Sequence, residues 1–149
     1  MDIREICERI LTPERRKALR ALPSKKGGTV ASVAGSSAAV MLSGLPSKEG
    51  RPVVVIGNSL DDAGYLFFDL CRIAGEDKVA MLPSGFKRDI KYGQPDAPNQ
   101  ILRTETLSRL KRGQLQFLVT YPDAIAESVA SAEKISSHTL HLDKRTPLD

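Results

Sequence analysis

The chain has 149 residues, of which 41% are hydrophobic and 27% charged, with a formal net charge of +4; that is the size and make-up of one globular domain burying about 68–70% of its unfolded surface. Its unbroken apolar runs, such as Val53 to Ile56, are far shorter than the roughly 20 residues of a bilayer span, and the opening MDIREICERI carries acids but no apolar signal-type stretch. Residues 1–28 hold eight Lys/Arg against four Asp/Glu and the remainder fourteen of each sign, so the main body is neutral and lacks the basic stripe of a dedicated DNA-binding domain.

Ile3, Ile6, Cys7, Ile10 and Leu11 repeat at helical spacing and predict an amphipathic first helix. Thr12-Pro13 reads as a cap followed by proline at the first helical position, opening a second helix that ends near Leu22. PSKKGG then breaks the chain, so residues 1–26 read as a helical appendage and 27–149 as the main domain. The basic face of the second helix (Arg15, Arg16, Lys17, Arg20) is the sort of surface that touches phosphates, although a solvated helix face accounts for it more simply.

From Thr29 onward, strands and helices alternate. Thr29 to Val33 reads as a strand and Ser36 to Leu45 as a helix of small and apolar residues; RPVVVIG reads as a central parallel strand buried on both faces. Ser59-Leu60-Asp61-Asp62 is a helix-start signal, and Leu60, Ala63, Phe67, Leu70, Cys71 and Ala74 form one apolar face that Gly75 ends. KVAML is the next strand, PSGFKRDIKYGQPDAP a long irregular stretch, and Asn99 the start of a helix closed by Lys111, Arg112 and Gly113. LQFLVTY, PDAIAES and HTLHLD complete the series as strand, short helix and strand. The predicted fold class is α/β: a mostly parallel sheet between helix layers, preceded by the N-terminal helices. Cys7 and Cys71 are isolated and lie on apolar helix faces, which reads as reduced packing cysteines in a cytoplasmic protein. KRTPLD directly follows a strand, and the reading expects a next domain to begin there.

SVAGSSAAV occupies the place of a phosphate-binding loop, between a predicted strand and a predicted helix. A P-loop has glycine at both ends, a lysine for the outer phosphates and a hydroxyl for magnesium. Here its eight positions run from Ser32 to Ala39 with Gly35 inside, Ala38 at the lysine position and Ala39 at the hydroxyl position. With Ser32, Gly35, Ser37, Ala38 and Ala39 filling that frame, nothing remains to stabilise a transferring phosphoryl group, and the loop reads as structural. His138 and His141, three apart in a strand, point to opposite faces and make no metal pair. No serine sits in a strained G-x-S-x-G elbow, so no nucleophilic triad is signalled. Phe86, Lys87, Arg88, Lys91 and Tyr92 mix cations with aromatics in one loop and form a candidate contact surface. Tyr121-Pro122-Asp123 falls on the carboxyl edge, where open sheets hold ligands, and reads equally as a turn and helix cap.

Three of these stretches, in order from about Gly28 to Asp149, resemble the first domain of UvrB, the excision-repair helicase: the decayed loop, the segment Tyr92, Gln94, Pro95, Asp96, Ala97, and ILRTETLSRLKRGQLQFLVTYPDAI. UvrB has an intact lysine-bearing loop and inserts a DNA-clamping hairpin after the Gln-Pro segment. This chain has neither, which is similar to the UvrB-like N-terminal module of the bacterial transcription-repair coupling factor (Mfd) family. The resemblance implies a degenerate RecA/P-loop-like three-layer sandwich. It also implies a non-catalytic, monomeric scaffold without cofactor, inside a cytoplasmic DNA translocase that displaces stalled RNA polymerase. ATP and magnesium would serve motor domains elsewhere in such a protein, and UvrA, RNA polymerase and double-stranded DNA would be engaged mostly by other domains. Two readings from the residues alone stay beside it: a small doubly-wound domain taking a phosphorylated ligand at the Gly35–Ser37 helix end, and a nucleic-acid module using Lys87, Arg88, Lys91 and the N-terminal helices.

Overall fold

The computed structural model describes residues 3–22, 28–31, 33–45, 51–86, 94–129, 131 and 133. Two short helices come first, α1 (Ile3–Ile10) and α2 (Pro13–Ala21). Thr12 caps α2 by accepting the Arg15 amide at 3.4 Å, with Pro13 at the first position where its missing N–H costs nothing. The Glu14 carboxylate is held below its usual range by its own backbone N–H and then by the Thr12 hydroxyl. Arg15 and Arg16 reach back to the carbonyls of Ile10 (2.8 Å) and Leu11 (3.0 Å), satisfying acceptors left over at the end of α1. Half of the basic face of α2 thus closes a helix end.

Cys7, Leu11 and Leu19 bury themselves against Val40 of the next helix, α3 (Ser37–Ser43), with Ile73 from farther along the chain beside them. The N-terminal helices therefore sit on the helical layer through a small apolar core of their own. The predicted Ser36–Leu45 helix is shorter than expected because Gly44 takes the C-cap.

The remaining elements alternate: β1 (Val53–Ile56), α4 (Leu60–Ala74), β2 (Val79–Met81), α5 (Ala97–Lys111), β3 (Phe117–Thr120) and α6 (Pro122–Ala126). The three strands form a parallel sheet in the order β1-β3-β2, with Val53 and Val79 both in register with Phe117. Side chains alternate across it. Val55, Val79, Phe117 and Val119 join Ala63 and Leu70 of α4 in the main core, while Ala80 and Leu118 meet Leu107 and Leu110 of α5 on the other face. The result is an α/β arrangement with helices on both faces of a small parallel sheet.

Three expectations need correction. Residues 29–31 and 33 form no strand. Val30 and Val33, the segment's only large apolar residues, lie three apart and would face opposite sides of a strand, so they offer no common face to bury. The run of valines in RPVVVIG is not central: among the described strands β3 is in the middle and buried throughout, while β1 lies at the edge with Val54 and Ile56 exposed. Finally, α5 starts at Ala97 rather than Asn99. Asp96 caps it by accepting the Asn99 amide at 3.4 Å, and Pro98 falls within the first turn, where proline is tolerated. The HTLHLD strand lies outside the described residues.

The turn from β1 into α4 is tight. Ser59 caps the helix by accepting the Asp62 amide at 3.2 Å, with Asp61 and Asp62 in the positively polarised first turn. Gly57 lies against that turn so closely that a Cβ there would stand 2.6 Å from the Ala63 nitrogen and 2.9 Å from its Cα. Those atoms are backbone and cannot swing aside. Gly57→Ala is expected to destabilise the domain by about 1–3 kcal/mol, read from the urea midpoint at unchanged m-value; a midpoint equal to the parent's would show that α4 is not seated this closely.

Candidate functional site

Two places on the carboxyl edge of the sheet concentrate polar groups. The first is a cleft of about 520 Å³ where the loop before α3, the end of β1 and the first turns of α4 meet. It contains the segment whose sequence reads as a degenerate phosphate loop. Gly35 takes φ +52°, a left-handed value suited to glycine, and turns the chain into α3. The loop then closes on itself. The Ser37 hydroxyl donates to the Ala34 carbonyl at 2.5 Å and accepts the Ala34 amide at 3.0 Å. The amides of Ser37 and Ala38 donate to the carbonyls of Ala34 and Gly35, each at 3.2 Å.

The amides of Ala34, Ser37 and Ala38 and the Ser37 hydroxyl are thus engaged within the loop itself. Ala38 lines the cleft as a methyl group, and Ala39, at the magnesium-hydroxyl position, is fully buried in the main core. Ser32 lies outside the described residues. The opposite wall comes from Ile56, Asn58 and Tyr65, with the carboxylates of Asp62 and Asp69. Among the described lining residues there is no lysine, arginine or histidine.

The second place is the exit of β2, where successive backbone groups are tied down by side chains from three other elements. The carbonyl of Met81 accepts from Thr106 (2.9 Å), that of Leu82 from Thr120 (3.1 Å), and that of Pro83 from Arg103 Nη1 (2.5 Å). The Ser84 amide donates to the Tyr121 hydroxyl at 2.8 Å, and the Gly85 amide to Glu127 Oε2 at 2.9 Å. Glu127 also accepts the Ser84 hydroxyl and pairs with Arg103 at 3.3 Å. Arg103 is nine-tenths buried, its Nη1 also reaches the Ala124 carbonyl at 3.3 Å, and its Nη2 has no hydrogen-bond partner. Just beyond, the Asp96 amide donates to Gly85 O at 2.9 Å and Phe86 bridges to Pro95, which closes the base of the loop.

Tyr121, a candidate ligand contact from its place on the edge, is therefore a buried strut, and Pro122 opens α6. Of the aromatic and basic loop, Phe86 is half-exposed beside this clamp, while Lys87, Arg88, Lys91 and Tyr92 lie outside the described residues, as do His138 and His141. Among the described residues no three His, Cys, Asp or Glu side chains come together. Neither Cys7 nor Cys71 forms a disulfide; burial, followed by the nearby Glu76 carboxylate, pushes the Cys71 thiol up despite Arg109, which suits a packing residue. Sequence reading missed the Arg103–Glu127 pair. The only trace of it is an arginine on the inner side of α5 that breaks the helix's apolar face.

The fold and these two places define a small α/β domain with a three-stranded parallel sheet. The chain matches no protein-family model, no curated protein and no solved structure.

Proposed function

We propose that this chain is a catalytically silent scaffold of the transcription-repair coupling factor (Mfd) kind, a RecA/P-loop-like frame kept for its shape after its ATPase chemistry was lost. The observation that carries this reading is the self-closed loop Ala34–Ala38. The Ser37 hydroxyl and the Ala34, Ser37 and Ala38 amides bond within the loop, its lysine and hydroxyl positions are methyl groups, and the facing wall presents Asp62 and Asp69. An intact phosphate loop offers inward-facing amides and a cation to the nucleotide. Here a triphosphate would have to break these internal bonds and then face two carboxylates with no described cation to offset them.

On this reading, ATP and magnesium belong to motor domains of a larger cytoplasmic bacterial protein. UvrA, RNA polymerase and double-stranded DNA would be that protein's partners, mostly through other domains. A phosphorylated small ligand at the Gly35–Ser37 turn is disfavoured by the same internal bonds. Isothermal titration of the chain with millimolar ATP and magnesium is expected to give no saturable heat. Saturable binding with turnover would overturn the reading.

A further inference from the structure

α4 packs its inner face on the sheet, where Ala63 and Leu70 are fully buried, and meets α3 along one side. Its outer face carries a row of four exposed residues, Asp61, Tyr65, Phe68 and Arg72. Tyr65 is 74% and Phe68 67% exposed, and two large rings one helical turn apart make a continuous apolar strip rather than scattered exposure. Phe68 stands edge-on to Phe67 with ring centroids 5.6 Å apart, and Phe67 packs on the main core, so the strip is anchored. Gly64, beside Tyr65, has nothing within 4 Å of where a side chain would begin. Glycine inside a helix weakens it, and nothing in the described chain crowds this position.

The four residues are spaced four, three and four apart, the interval of a helix–helix seam with a 3.5-residue period. Their order is also self-complementary. When the helix is laid antiparallel on a copy of itself, with the two-fold axis between Tyr65 and Phe68, Asp61 falls opposite the partner's Arg72 and Tyr65 opposite the partner's Phe68. Neither Asp61 nor Arg72 has a side-chain hydrogen bond or ion pair among the described residues. A parallel pairing would instead set Asp61 against itself and Arg72 against itself.

We infer that α4 pairs antiparallel with α4 of a second copy of this chain, in a two-fold dimer held by Tyr65–Phe68 contacts at its centre and Asp61–Arg72 pairs at both ends. Gly64 leaves room beside the seam for the partner's ring. The same patch serves both copies, so the assembly closes at two and does not propagate. A helix of 15 residues is about 22 Å long, which places this contact at the small end of specific interfaces and its affinity in the micromolar range. The surface faces away from the sheet and is independent of whatever flanks β1. A dimer departs from the monomer that the family resemblance implies, and it bears on no part of the nucleotide result.

Sedimentation equilibrium of the whole chain, from micromolar to millimolar concentration, is expected to show reversible association of monomers to dimers. Phe68→Glu is expected to abolish it. Asp61→Arg and Arg72→Asp each place like charges together twice over in a two-fold dimer, and each is expected to weaken association about tenfold. The double variant D61R/R72D recreates both pairs with their signs exchanged and is expected to dimerise as the parent does. These are exposed positions; circular dichroism checks the fold of each variant, and a recovered double variant is necessarily folded. A chain that stays monomeric throughout, a dimer that Phe68→Glu leaves intact, or a double variant as weak as either single one overturns the inference.

Discussion

Replacing Arg103 by alanine is expected to cost about 3–5 kcal/mol of folding stability, the range for breaking a buried ion pair from one side. The guanidinium side chain is 9% exposed and its Glu127 partner 17%. Among the described residues its removal leaves the carboxylate with the Ser84 hydroxyl and the Gly85 amide alone, and it strips the Pro83 and Ala124 carbonyls of a donor. Arg103→Ala combined with Glu127→Gln should cost less than the sum of the two single changes, because the second change removes the charge stranded by the first. Urea unfolding at neutral pH measures all three. A loss below about 1 kcal/mol for Arg103→Ala would mean that the pair behaves as an exposed one and that the clamp on β2 lies elsewhere.

Phe117→Ala is the second large loss. Phe117 is fully buried and stands in register with Val53 on one side and Val79 on the other, so one ring joins both flanking strands to α4. Emptying such a position typically costs about 3–5 kcal/mol, the lost transfer energy plus the cavity left behind. Against a total stability of about 5–15 kcal/mol for a domain, that is a large share, and it should lower the melting temperature by about 6–20 °C. Circular dichroism melts provide the measurement. A melting temperature within two or three degrees of the parent's, by the usual scaling about 1 kcal/mol or less, would show that the core closes over the missing ring and that the sheet does not depend on it.

Features set by neighbours along the chain were legible in the sequence. Thr12-Pro13 and Ser59 announced helix starts that the structure realises with the expected side-chain caps, and Gly75 ends its helix as read, whereas the helix read as running to Leu45 stops at Ser43 with Gly44 as its C-cap. KVAML and LQFLVTY carried enough apolar side chains on both faces to be read as strands. Features set by what lies across the fold were not legible. The valines of β1 read the same whether a helix covers both faces or one, and α5 crosses the β2–β3 side, leaving Val54 and Ile56 bare. Nothing local marks Glu127, just past a short helix, as the partner of an arginine on α5. At the candidate phosphate loop, sequence could show which chemical groups were missing. It could not show that Ser37 turns its hydroxyl onto the Ala34 backbone.

The closed base formed by Gly85, Phe86, Pro95 and Asp96 also makes the domain tolerant of added sequence. Between Phe86 and Pro95 the chain spends eight residues, 87–94, and both ends are already pinned to each other and to the β2 exit. Lengthening a segment whose ends are held costs only chain entropy, about 0.6 kcal/mol for each doubling. The clamp isolates that cost from the sheet. Added sequence between these two pinned ends is therefore expected to leave the sheet and its core in place, which urea unfolding of an insertion variant would check.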